Sequence, residues 1–120
     1  MKILLAALAL TIAMPAIAET ITITGTVVGQ GGSESYSNIP NDAGYTPMSI
    51  VKNPTYGYAT VTLGGVTCRG YYNVEFALKC SDGFVAQMNL LESYVRRCNA
   101  GRCNAHWELT GGTIDRVVPQ

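Results

Sequence analysis

Apolar and polar positions change period along this chain, and each period predicts a different element. Residues 21–28, ITITGTVV, are rich in β-branched side chains and alternate, with Ile21, Ile23, Gly25 and Val27 on one side. That pattern predicts a half-buried strand, ended by Gly29-Gln30-Gly31-Gly32. Residues 58–63 and 66–69 flank Gly64-Gly65, a two-residue turn that predicts a β-hairpin with Val61 opposite Cys68. From Cys68 to Cys80 the even positions are Cys68, Gly70, Tyr72, Val74, Phe76, Leu78 and Cys80, one buried face of a period-2 pattern. Phe84, Met88, Leu91, Val95 and Cys98 then follow at helical spacing. They predict an amphipathic helix over 84–97, capped by Ser81-Asp82-Gly83 and stopped by Asn99-Ala100-Gly101.

Residues 106–110 and 113–118 flank Gly111-Gly112, which predicts a second hairpin. In that register Leu109 faces Ile114, Trp107 faces and stacks on Arg116, and Glu108 faces Asp115. The order becomes a leading strand and then β-β-β-α-β-β, the string of an OB-like small barrel. The expected fold class is therefore α+β, mostly β, with one helix. Residues 21–28 also resemble the first strand of chaperone–usher pilin subunits. The early cysteine and the closing strand with a penultimate tyrosine typical of those pilins have no counterpart here, so nothing of that family is carried over.

The opening residues change the picture of where this fold works. Met1-Lys2, an apolar run over 3–13 and Ala16-Ile17-Ala18 before Glu19 form the pattern of a secretory signal peptide. The run is shorter than the about 20 apolar residues that cross a bilayer. Cleavage after Ala18 gives a signal over 1–18 and a single exported domain over 19–120, periplasmic or secreted. Four cysteines in such a chain read as two disulfides, because the compartment is oxidising. Three pairings are open, and Cys68–Cys80 with Cys98–Cys103 is favoured. A straight strand over 74–80 would carry Cys80 far from Cys68, so that pairing needs a turn near Val74.

Charge is uninformative except by exclusion. Residues 19–120 hold seven Lys/Arg and eight Asp/Glu with no basic or acidic block, so neither nucleic-acid binding nor a polybasic membrane contact has an electrostatic footprint. Residues 30–57 are dominated by Gly, Ser, Asn and Pro and predict a long loop, with only 48–52 as a short strand. Tyr36, Tyr45 and Tyr56 in that loop, with Tyr71 at a turn tip, are the candidate binding residues, since tyrosine among small polar residues suits contact loops.

Chemistry-bearing groups are few. Cys98, Cys103 and His106, with Cys80, have a loosely zinc-like spacing, but oxidation of the cysteines competes with it. A free thiolate beside His106 would need an unpaired cysteine. Glu108 and Asp115, with His106 adjacent, form a possible polar site for a cation, an amino group or acid–base work. No serine-hydrolase elbow, zinc-protease helix or phosphate loop occurs. The expectation is a non-enzymatic exported bacterial binding module without cofactor or metal, its partner a protein or glycan. The alternatives are an inhibitor of a hydrolase and a small hydrolase using His106, Glu108 and Asp115.

Overall fold

The computed structural model describes residues 17–30 and 34–119. The expected export signal lies outside the described residues except for Ile17 and Ala18. Nine strands follow one another: β1 (Ala18–Thr22), β2 (Val27–Val28), β3 (Ser35–Tyr36), β4 (Met48–Asn53), β5 (Tyr58–Leu63), β6 (Val66–Tyr71), β7 (Leu78–Cys80), β8 (Val85–Asn99) and β9 (Arg102–Val117). They form one antiparallel sheet in the order β1-β9-β8-β7-β6-β5-β4-β3, with β2 also on β9. From β3 to β9 each strand pairs with the next, so the sheet is a meander to which the first strand adds at the end.

The sheet curls into a half-barrel because its concave face carries the apolar alternation. Ile21, Met48, Ile50, Val61, Leu78 and Ile114 are fully or almost fully buried there. The two ends of the curl touch through the bridge Ile23–Asn41. Backbone bonds from Thr24 N–H to Pro40 O at 3.0 Å and from Asp42 N–H to Thr22 O at 2.9 Å reinforce that seam.

The first hairpin is as its turn residues predict: Gly64-Gly65 joins β5 to β6, and Val61 pairs with Cys68. The distance problem at the cysteines is resolved by a break in the alternation. Residues 72–77 turn, with Phe76 at φ 53°, and β7 comes back so that Cys80 lies directly opposite Cys68. Both favoured disulfides are present, Cys68–Cys80 and Cys98–Cys103, and no described cysteine is free.

The helix over 84–97 is a correction: the described residues contain no α-helix, and this segment is the long strand β8. Its sequence satisfies two periods. Read in twos, Ala86, Met88 and Leu90 face Arg116, Ile114 and Gly112 of β9. Ala, Gln, Met, Leu and Glu favour a helix locally, but pairing with β9 along the whole length overrides that preference. Without a helix the OB-like string does not form, and the fold is a meander.

Gly111-Gly112 is the second correction. These glycines lie inside β9 instead of turning the chain. Leu91 pairs with Gly111 and Glu92 with Leu109, which leaves Thr110 as the extra residue of a β-bulge. Gly112 has φ 122°, and a Cβ there would meet the Asn89 carbonyl oxygen. The strand needs glycine for close approach, and the same glycines imitate a turn in sequence. Leu109 and Ile114 therefore do not face each other, nor do Trp107 and Arg116.

Candidate functional site

Two polar clusters pin the curl, and both belong to the architecture. In one, the Tyr36 hydroxyl donates to Glu92 Oε2 at 2.7 Å and Lys52 Nζ donates to Glu92 Oε1 at 2.5 Å. Lys52 also reaches Glu34 at 3.4 Å and sits over the Tyr72 ring. Burial and the Glu92 hydrogen bond push the Tyr36 phenol far above its ordinary value. Burial opposes the Lys52 charge, but Glu92 and Glu34 outweigh it and hold the ammonium above its ordinary value. In the other cluster the buried Arg116 donates to Glu19 at 3.0 Å and Asp82 at 2.8 Å, and lies over the Phe84 ring. Phe84 thus takes the stacking role expected of Trp107.

The expected tyrosine loop is a correction. Tyr36 is in β3 and has no exposed surface. Tyr45 is half-buried and donates to Glu19 at 3.0 Å. Residues 30–57 contribute β3 and β4 to the sheet, so two of the three rings pack inward. Tyr56, 74% exposed in the turn before β5, and Tyr71, 54% exposed and edge-to-face with Tyr58, remain accessible.

The proposed polar triad does not assemble. His106 Nε2 lies 2.8 Å from Glu108 Oε2. Asp115 is further along the same strand, across the bulge, where its Oδ1 accepts from the Thr20 hydroxyl at 2.8 Å. At about 3.4 Å per residue the two carboxylates are roughly 20 Å apart. Among the described residues no group of three or more His, Cys, Asp or Glu could hold a metal ion.

What stands out is the outer half of the β8–β9 hairpin. Beyond Glu92 and Leu109 the two strands continue with only each other as neighbours, apart from the short contact with β2. Every residue from 96 to 105 is exposed. A lone two-stranded ribbon is marginally stable in water, and here three devices hold it. Ala100 and Gly101, at φ 53° and 80°, make a tight turn whose twist matches the strands. Cys98–Cys103 clamps the pair just inside that turn, with Cα atoms 4.0 Å apart. Tyr94 and Trp107 face each other, ring centroids 5.2 Å apart.

No known protein family, curated protein or solved structure matches this chain. The arm is therefore read from its own residues. Arg96, Arg97 and Arg102 crowd its tip, and residues 96–105 contain no acidic residue. The rest of 19–120 holds four basic and eight acidic residues, so a nearly neutral chain is polarised, with its positive end on the arm. Leu91, 62% exposed, and Tyr94, 59% exposed, add apolar area at the base. In sequence this arm is concealed by the helical spacing of residues 84–97, which covers half of it. The available signal was the spacing itself: two cysteines enclosing Asn-Ala-Gly-Arg suit the pair next to a two-residue turn.

Proposed function

We propose that the chain is a non-enzymatic binding module, exported to the bacterial periplasm or beyond, that contacts a protein partner through the β8–β9 arm. The observation that carries the reading is the exposed Tyr94, backed by the half-buried Trp107, and the arginine set on a clamped ribbon whose outer part, residues 96–105, stands clear of the body. Tyr, Trp and Arg are the side chains that dominate binding energy at interfaces. A disulfide at the tip fixes the bound shape in advance and lowers the entropic cost of association. Two disulfides are typical of proteins outside the cytoplasm, and no helix among the described residues is long and apolar enough to cross a membrane.

The arm's width favours one subclass as a second reading. Two strands side by side are only about 10 Å across, narrow enough to enter a cleft, as an inhibitor of a hydrolase would. The test is affinity capture from the native envelope with the wild-type chain and with Tyr94→Ala/Trp107→Ala. The reading expects a protein retained by the first and lost by the second, with both chains folded. Equal capture by both would remove the arm from the binding surface.

A further inference from the structure

β8 has a neighbour along one side for its whole length and along the other side almost nowhere. β7 meets it only at Leu78↔Ala86 and Lys79↔Val85, so residues 87–99 present an open strand edge. The tip turn fixes which backbone groups point out of that edge. Asn99 and Arg102 flank a two-residue turn and form a hydrogen-bonded pair, so the intervening pairs alternate back to the bulge. Arg97, Val95 and Ser93 therefore bond to β9, while Cys98, Arg96, Tyr94 and Glu92 turn their N–H and C=O groups away from it. The opposite edge obeys the same parity: the Trp107 carbonyl, facing outward, accepts from Gly29 N–H at 2.6 Å.

The outward groups of Tyr94, Arg96 and Cys98 have no backbone partner among the described residues. Natural sheets blunt such edges with proline, charged side chains or a bulge on the edge strand; the stretch from Glu92 to Cys98 has no proline and the bulge lies on β9, so its guard is charge alone, Arg96 and Arg97, which repels a like-charged strand and admits an acidic one. Where β7 ends, a cavity of about 290 Å³ lies between Tyr72 and Asn73 on one side and Met88, Asn89 and Leu90 on the other, with Lys52 reaching across to Glu92 at its outer end. A further strand could therefore start beside β8 at the body and run out along the arm. The charges select the occupant. Glu92 is engaged by Lys52 and Tyr36, and Glu108 by His106, whereas among the described residues no carboxylate pairs with Arg96, Arg97 or Arg102. A second copy of the arm would bring three more arginines against these.

We propose that the open edge of β8, from Glu92 to Cys98, takes up an extended acidic segment of a partner protein as an added strand. Backbone groups of alternate residues would supply the ladder, and the three arginines the preference for acidic side chains. This rests on the binding-module reading and specifies how the arm binds.

The test titrates the isotopically labelled mature chain with three short peptides, alternating Glu-Val, Lys-Val and Ser-Val, and follows backbone amides by NMR. The acidic peptide is expected to slow hydrogen exchange at Tyr94, Arg96 and Cys98. Ser93, Val95 and Arg97, already bonded to β9, should be unchanged. Replacing Arg96, Arg97 and Arg102 by Gln should weaken binding roughly tenfold, since each exposed ion pair contributes little and three are lost together. Failure of the acidic peptide to bind would overturn the proposal, as would equal or better binding of the other peptides. Protection of those same amides without peptide, rising with protein concentration, would assign the edge to a second copy and also overturn it. The capture experiment is independent of these outcomes. Loss of capture in Tyr94→Ala/Trp107→Ala with no acidic-peptide protection would leave the arm as the interface and remove only the added strand.

Discussion

Tyr36 donates its phenolic proton to Glu92 across 2.7 Å, joining β3 at one end of the meander to β8 near the other. With Lys52 on the same carboxylate, this contact holds the curl where the arm leaves the body. Replacing Tyr36 by Phe keeps the buried ring but leaves Glu92 one donor short. Stability should fall by about 1–3 kcal/mol, the cost of stranding a buried polar group. Urea unfolding at neutral pH checks this. Tyr56→Ser, on an exposed ring, should stay within about 0.5 kcal/mol of wild type.

The same cluster predicts the alkaline limit. An unfolded tyrosine ionises near pH 10 and an unfolded lysine at about 10.4, while Tyr36 and Lys52 both keep their protons to higher pH when folded. Their stabilisation is fully present below about pH 10 and is lost as pH rises through the folded values. Unfolding midpoints should therefore drop above pH 10, and less steeply in Tyr36→Phe.

At the acid end the Arg116 cluster takes over. Burial works against the Asp82 charge, but the Arg116 hydrogen bond and the Phe84 N–H outweigh it and hold the carboxyl below its ordinary value. Its contribution is present above about pH 4 and is lost as pH falls through the folded value. Asp82→Asn should cost about 1–2 kcal/mol at pH 7 and flatten the acid side of the stability curve.

The bulge region gives a prediction specific to β9. Gly112→Ala would place a methyl group against the Asn89 carbonyl at a φ that side chains rarely adopt. A loss of about 1–3 kcal/mol is expected by thermal unfolding. A neutral outcome would mean that β8 and β9 do not approach closely there.

How much of this was legible depends on how local the information is. Gly64-Gly65 and the alternation around Val61 and Cys68 sit within a few residues of one another, and that hairpin and its register were readable. The cysteine pairing was favoured among three and is the one present, but the turn over 72–77 that brings Cys80 back to Cys68 was not legible. Nor was Tyr36, because its partners Lys52 and Glu92 are distant and only the curl brings them together. β8 was hidden by its own composition: Met88, Leu91 and Val95 fit a helix as well as a strand, and β9 decides between them. Gly111-Gly112 misled for the complementary reason, since a glycine needed for close backbone approach looks the same as one needed for a turn. The candidate site suffered most, because Tyr94 and Trp107 meet only once both strands exist.

Two disulfides have separable roles. Cys68–Cys80 ties β6 to β7 within the body, and Cys98–Cys103 clamps only the arm. In the chain-entropy model the shorter loop is worth about 2 kcal/mol. Cys98→Ser/Cys103→Ser should leave the body's amide protection unchanged while residues 93–107 exchange faster, and partner binding should weaken with them.

The central claim is that the arm is the binding surface, and site-specific photocrosslinking tests it most directly. A photoreactive phenylalanine placed at Tyr94, and separately at Tyr56 on the body, would be expressed in the native envelope and irradiated. Tyr94 is predicted to give a discrete crosslink to one protein and Tyr56 none. A crosslink from Tyr56 with nothing from Tyr94 would contradict the account.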